Sequence, residues 1–165
     1  DMPYITERWP GGLLTNFSTI RKSIKKMDGI DKMKTDGTFD TLSKRERLQI
    51  DRTREKLEIN LGSIVKMNRM PAAVFVVDIN KEHIAVKESA KLGIRSFAIT
   101  DTNTNPSLVN FPIPGNDDAS KSISHIVEVV TEAISEGLSE RSEEQDKKAL
   151  EKQKKAKKIA EEAKK

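Results

Sequence analysis

Two groups of residues in this chain have the types and spacing to do chemistry. The first is the run Arg8-Trp9-Pro10-Gly11-Gly12-Leu13-Leu14-Thr15-Asn16, followed by Arg21, Lys22, Lys25 and Lys26. A guanidinium and an indole can stack on flat groups, and cations spaced along a helix can neutralise phosphates. Two glycines allow φ > 0 or a close approach of the main chain to a partner. Together they suit a backbone pressed against folded RNA. The same residues fit a second reading, a tight turn feeding a helix, with Trp9 anchoring a core and the lysines forming a solvated face. The second group is Asp101, Asp117 and Asp118, each placed near the carboxyl end of an expected strand. If those strands are neighbours, the carboxylates converge and require a cation, a proton or helix N–H groups to offset their repulsion. That leaves two options: a structural divalent ion, Zn or Mg, or a helix cap at Asp117 with a turn anchor at Asp101.

Other chemistries lack their residues. No GxGxxG follows a strand, and no GxxxxGK[ST] occurs anywhere. The two histidines, His83 and His125, stand on separate expected helices with no Ser/His/Asp order around them. There are no cysteines, which excludes disulfides, thiolate metal sites and cysteine nucleophiles within this chain. No apolar run approaches membrane-spanning length.

The elements that must position these groups read as follows. Phe17, Ile20, Ile24 and Met27 repeat at 3-4-3 spacing and predict a helix over 15–33 with a narrow, coiled-coil-like seam. Asp36-Gly37-Thr38 marks a turn. Ser43 with Glu46 predicts a capping box for a second helix reaching Val65, with Ile50, Leu57, Leu61 and Ile64 as its stripe. Two such helices joined by a short loop form an antiparallel hairpin whose outer surface is charged, and Arg45, Arg47, Arg52 and Arg54 on the second helix join the candidate RNA contacts. From Pro71 the texture changes. Ala73–Val77 and Ser96–Thr100 are short apolar runs of buried-strand type, and Val109–Ile113 reads as a short third strand. They alternate with a helix over 81–92, capped by Asn80 and closed by Gly93, and with one from Asn116 or Asp117 to Gly137. Alternating strands and helices predict a parallel sheet.

Charge is distributed to match. Residues 8–34 carry seven Lys/Arg against Asp28 and Asp31, and residues 44–69 carry eight against four acids. Such concentration suits a polyanion, although two solvated helix faces have the same composition. Residues 136–146 hold five acids and one Arg, and 147–165 hold nine Lys and three Glu. That tail has no apolar stripe; pairs such as Glu151–Lys155 favour helix, and it reads as a solvent-exposed extension.

The segment Arg8–Ile20 resembles the bacterial-type small-subunit ribosomal protein S-two family. Two further blocks agree, in the family's order. One is Pro71-Ala72-Ala73-Val74-Phe75-Val76-Val77-Asp78 with Lys81-Glu82-His83-Ile84-Ala85-Val86-Lys87-Glu88. The other is Asp101-Thr102-Asn103 with Ile113-Pro114-Gly115-Asn116-Asp117-Asp118-Ala119. The likeness runs from about Tyr4 to Gly137; Pro10, Leu13 and Ala72 depart from the usual pattern without touching the glycines or Asn16.

The resemblance implies an α/β fold, a flavodoxin-like or Rossmann-like three-layer parallel sheet domain with an inserted helical hairpin, and an N-terminal portion of the sheet preceding Asp1. It implies this organisation: 1–14 an RNA-contacting turn, 15–66 a protruding hairpin and 67–137 the C-terminal part of the α/β domain; 138–165, outside the likeness, reads from its composition as a Lys-rich tail. It further implies a non-enzymatic constituent of the small ribosomal subunit, bacterial or organellar and cytoplasmic, that requires no cofactor. The expected partners are small-subunit rRNA at the head–body junction, ribosomal protein S-one and neighbouring proteins, with no membrane and no small-molecule substrate. From the residues alone, a small-molecule enzyme or sensor and a coiled-coil adaptor stay open as rivals.

Overall fold

The computed structural model describes the backbone of residues 2–162 and the side chains of residues 2–144. The chain forms two compact units, Asp1–Asp117 and Asp118–Lys165. In the first, helix α1 spans Phe17–Thr35 and helix α2 spans Lys44–Leu61. The reversal between them uses Gly37 at φ +75°, which any Cβ would strain, and a 3-10 turn over Thr38–Thr41. The capping box forms as the spacing requires. Ser43 Oγ accepts from the Glu46 N–H, and the Glu46 carboxylate accepts from the Ser43 N–H at 3.0 Å. Past Leu61 the helix tightens to a 3-10 turn over Gly62–Ile64, so the expected continuation to Val65 ends in a narrower coil.

The hairpin seam has two halves. At its base Leu13, Ile24, Leu61, Ile64 and Met67 form a buried cluster ringed by Trp9, Phe17, Ile20 and Leu57. Toward the tip ion pairs flank buried Met27 and Ile30: Arg54 Nε donates to Asp31 Oδ1 at 2.6 Å, and Lys34 pairs with Asp51 at 2.6 Å. Ile50, expected in the apolar stripe, is only half-buried there. These pairs are partly exposed and add little net stability, but they fix which side chains face inward.

Strands β1 (Ala73–Val76), β2 (Arg95–Thr100) and β3 (Phe111–Pro114) make a parallel sheet in the order β1-β2-β3. Helix α3, His83–Leu92, connects β1 to β2 and ends on Gly93 at φ +66°. Val76, Ala98 and Val109 pack with Val86 and Ile79 as a second core. In register across the strands lie Phe75, Phe97 and Phe111, the last two stacked at 4.5 Å. Two local expectations are corrected. Asn80 does not cap α3; Asp78 Oδ1 takes the N–H groups of Asn80 and Lys81, and that turn delays the helix to His83. Val109 precedes β3 as a buried contact rather than opening it.

In the second unit, α4 spans Ser120–Glu162 and passes through Gly137. The expected stop at Gly137 is wrong because one interior glycine costs only about 1 kcal/mol and no proline follows to break the helix. The side chains of the Lys-rich segment, including the expected Glu151–Lys155 pair, lie outside the described residues. Among the described residues no helix is long and apolar enough to cross a membrane.

Candidate nucleic-acid interface

The two-glycine turn is folded around one carboxylate. Glu88 on α3 is 7% exposed. Its Oε1 accepts from the Gly12 N–H at 2.7 Å and the Trp9 indole N–H at 3.4 Å. Its Oε2 accepts from the N–H groups of Leu14 at 2.9 Å and Thr15 at 3.0 Å, and from the Thr15 hydroxyl at 3.1 Å. A buried carboxylate is costly unless its oxygens are satisfied. Here burial pushes the Glu88 carboxyl up, but the N–H groups of Thr15, Gly12 and Leu14 with the Thr15 hydroxyl outweigh it. The net result holds the carboxyl below the ordinary glutamate range.

The glycines divide accordingly. Gly12 sits at φ +84°, and a Cβ there would come within 3.2 Å of Asn16 Cβ. Gly11 is exposed, has no left-handed φ, and a Cβ there would meet nothing within 4 Å. The conformation of the turn explains Gly12 and leaves Gly11 without an internal reason.

The candidate RNA contacts separate into inward and outward groups. Trp9 is half-buried against the hairpin-base core, bonded to Glu88. Arg21 donates to Met67 O at 3.2 Å and Asn68 Oδ1 at 2.8 Å, tying α1 to the end of the hairpin. Arg54 is held by Asp31 and by Glu58 at 3.3 Å, and Arg47 approaches Asp40 at 3.8 Å. The Arg54 charge is taken up inside the hairpin: its hydrogen bond is the chief cause holding Asp31 below the ordinary aspartate range. Arg8, Lys22, Lys25, Lys26, Arg45 and Arg52 are exposed or half-exposed. None of these six has an ion-pair partner among the described residues. Asn16, also exposed, caps α1 by position; its Oδ1 accepts from the Thr19 hydroxyl at 2.8 Å rather than from a backbone N–H.

The acidic group is not assembled as a ligand set: no three His, Cys, Asp or Glu side chains that could hold a metal come together among the described residues. Asp101 Oδ1 accepts from the Thr102 N–H at 2.6 Å and its hydroxyl at 3.2 Å, the turn-anchor option. Asp117 is buried and Asp118 exposed, while α4 begins only at Ser120. His83 Nδ1 lies 3.1 Å from Asn80 O, and His125 is exposed.

Glu88 is the residue that reading the sequence for function passed over. Its signal was present: Ala85, Val86 and Ser89 are the other buried positions of α3, so an acid stands on the packed face of an amphipathic helix. An acid at such a place needs donors from another element.

A family model described as Ribosomal protein S2 matches residues 1–137. The chain belongs to the ribosomal protein S2 family. Relatives in this family include the "small ribosomal subunit protein uS2" of Flavobacterium johnsoniae, 68% identical over 131 residues, covering 79% of this chain and 52% of the relative. That of Porphyromonas gingivalis is 66% identical over 126 residues, covering 76% of this chain and 45% of the relative. That of Cytophaga hutchinsonii is 53% identical over 162 residues, covering 98% of this chain and 64% of the relative. The chain thus spans about half the length of several S2 relatives it matches. The matched region includes the turn, the hairpin, the sheet and Glu88, so the carboxylate-held turn lies wholly inside the part shared with the family.

Proposed function

We propose that this chain is part of a structural constituent of the small ribosomal subunit, in the cytoplasm, that binds rRNA through the turn and hairpin and has no catalytic role. The relatives' names, small ribosomal subunit protein uS2, support the assembly. The observation that carries the RNA contact is the outward set of cations. Arg8, Lys22, Lys25 and Lys26 are exposed on and after a main-chain turn held by Glu88, while Arg54 is ion-paired inside the hairpin and Arg21 is tied to Met67 and Asn68. Neutralised phosphates supply sequence-independent affinity by releasing counterions, and a rigid turn supplies shape for folded RNA. Gly11 offers bare main chain at the same surface. Arg45 and Arg52 extend the charge along α2. Binding near the head–body junction and contact with ribosomal protein S-one complete the proposal.

Replacing Arg8, Lys22, Lys25 and Lys26 by Gln in the full-length protein tests it. Co-sedimentation with small subunits should weaken. The slope of log K against log salt should fall by about 0.7–0.9 for each phosphate that is no longer neutralised. Unchanged occupancy with an unchanged slope would return these cations to a solvated face.

A further inference from the structure

The hairpin has two long faces, and its cations are not equivalent on them. One face carries a groove of about 500 Å³ between α1 and α2, lined by Lys26, Gly29, Ile30 and Met33 from α1 and by Gln49, Ile50 and Thr53 from α2. Lys22 lies one helical turn before Lys26, and Lys56 one turn after Thr53, so both continue the groove's rims. No acid stands three or four residues from Lys22, Lys26 or Lys56. The opposite side has acids at helical spacing from its cations, near enough to lower the local potential although no ion pair closes there among the described residues. Lys25 and Lys32 flank Asp28 at i+3 and i+4 spacing, and Arg52 has Glu55 three residues on. Carboxylates at that spacing lower the local potential that a polyanion would meet.

Gly29 gives a second, independent observation. It sits inside a 19-residue helix, where glycine is the poorest residue after proline. It has no left-handed φ, and a Cβ would meet nothing within 4 Å. No internal contact therefore requires its being glycine, yet it lines the groove next to Lys26.

We infer that the groove face, through Lys22, Lys26 and Lys56 around a bare helix backbone at Gly29, is the face that seats an RNA sugar–phosphate strand. This rests on the RNA-binding reading above and narrows it to one side of the hairpin. A backbone strand fits the charge because uncompensated cations border both sides of the groove. The missing Cβ lets ribose and phosphate reach the α1 main chain.

The experiment compares three variants of the full-length protein for binding to small-subunit rRNA of Flavobacterium johnsoniae across a salt series. The groove set Lys22→Gln, Lys26→Gln, Lys56→Gln should lower the salt slope by about 2–3. The back set Lys25→Gln, Lys32→Gln, Arg52→Gln should leave it within about 1 of the parent. Gly29→Leu should raise the melting temperature by about 2–4 °C through helix propensity while weakening RNA binding. Opposite shifts in stability and affinity separate a blocked RNA surface from a damaged fold. A slope carried by the back set, or Gly29→Leu binding as tightly as the parent, overturns the face assignment alone. Neither set affecting RNA binding overturns the RNA reading as well. Loss of an acidic protein partner with RNA binding intact assigns the groove to protein instead and equally overturns the inference.

Discussion

Substituting Glu88→Gln should unlatch the two-glycine turn while preserving side-chain volume. The carboxylate accepts five hydrogen bonds, two on Oε1 and three on Oε2. A glutamine offers one acceptor oxygen. Its best orientation keeps that oxygen on Leu14 and Thr15 and turns its NH2 toward the Gly12 N–H, donor against donor at the present 2.7 Å. Hydrogen bonds to a charged group contribute about 1.5–3 kcal/mol each, and a donor left buried and unsatisfied costs about 1–3 kcal/mol. Allowing for partial relaxation at the exposed side of the turn, the expected loss is about 2–4 kcal/mol. Urea unfolding followed by the emission of Trp9, the chain's single tryptophan, measures it directly, since the indole N–H sits on Glu88. The native spectrum should also shift as the indole loses its partner. The pH dependence gives a second handle. Because the folded carboxyl is held below its ordinary value, its contribution is complete above the unfolded glutamate pKa of about 4.3. It is lost as pH falls through the lower, folded value. The stability gap between parent and Glu88→Gln should therefore be widest near neutrality and close in acid. A gap below about 0.5 kcal/mol at pH 7, or one that widens in acid, refutes the reasoning.

The two glycines should respond in opposite ways. Gly12→Ala forces a left-handed residue and a 3.2 Å approach to Asn16 Cβ, and should cost about 1–2 kcal/mol in the same unfolding assay. Gly11→Ala should stay within about 0.5 kcal/mol of the parent, and equal costs at both positions would mean that the turn is not conformationally fixed. For the acidic group, chelator should leave the melting temperature of the full-length protein unchanged, and Asp101→Asn should be mild because asparagine keeps the bond to Thr102. A chelator-induced fall that Asp101→Asn abolishes would restore the divalent ion.

What was legible in the sequence follows the range of the interactions that decide it. Short-range signals read through: the Ser43–Glu46 capping box, the Gly93 helix stop, the three parallel strands and the apolar base of the hairpin, although β3 is mostly exposed. Signals set by a distant partner did not. Arg54 looks like any exposed cation until Asp31, twenty-three residues away, is placed against it. Trp9 and Gly12 show no sign in sequence of their bonds to Glu88, more than seventy residues on. Gly137 carries a stop signal in sequence, but a single glycine is a weak bias and the residues after it favour continuing the helix.

The Glu88 latch joins two parts of the first unit that otherwise have separate cores. The hairpin base packs around Leu13, Ile24 and Leu61, and the sheet packs around Val76, Val86 and Ala98. Glu88 belongs to the helix of the second core, and its bonds go to the turn that opens the first. Apolar burial holds each core together but has no direction, so it cannot by itself fix the angle at which a two-helix arm leaves a sheet. Five directional bonds to one carboxylate can. Arg21, bonded to Met67 O and Asn68, closes the arm's other strand of chain at the same base. If the arm's outward cations meet RNA as proposed, an angle fixed beforehand favours affinity, because freedom left in the arm would be lost on binding. Trp9, Gly12 and Arg21, which look most like RNA contacts in the sequence, all form bonds within the arm's foundation. In the proposed reading, the exposed lysines beyond them carry the contact with RNA.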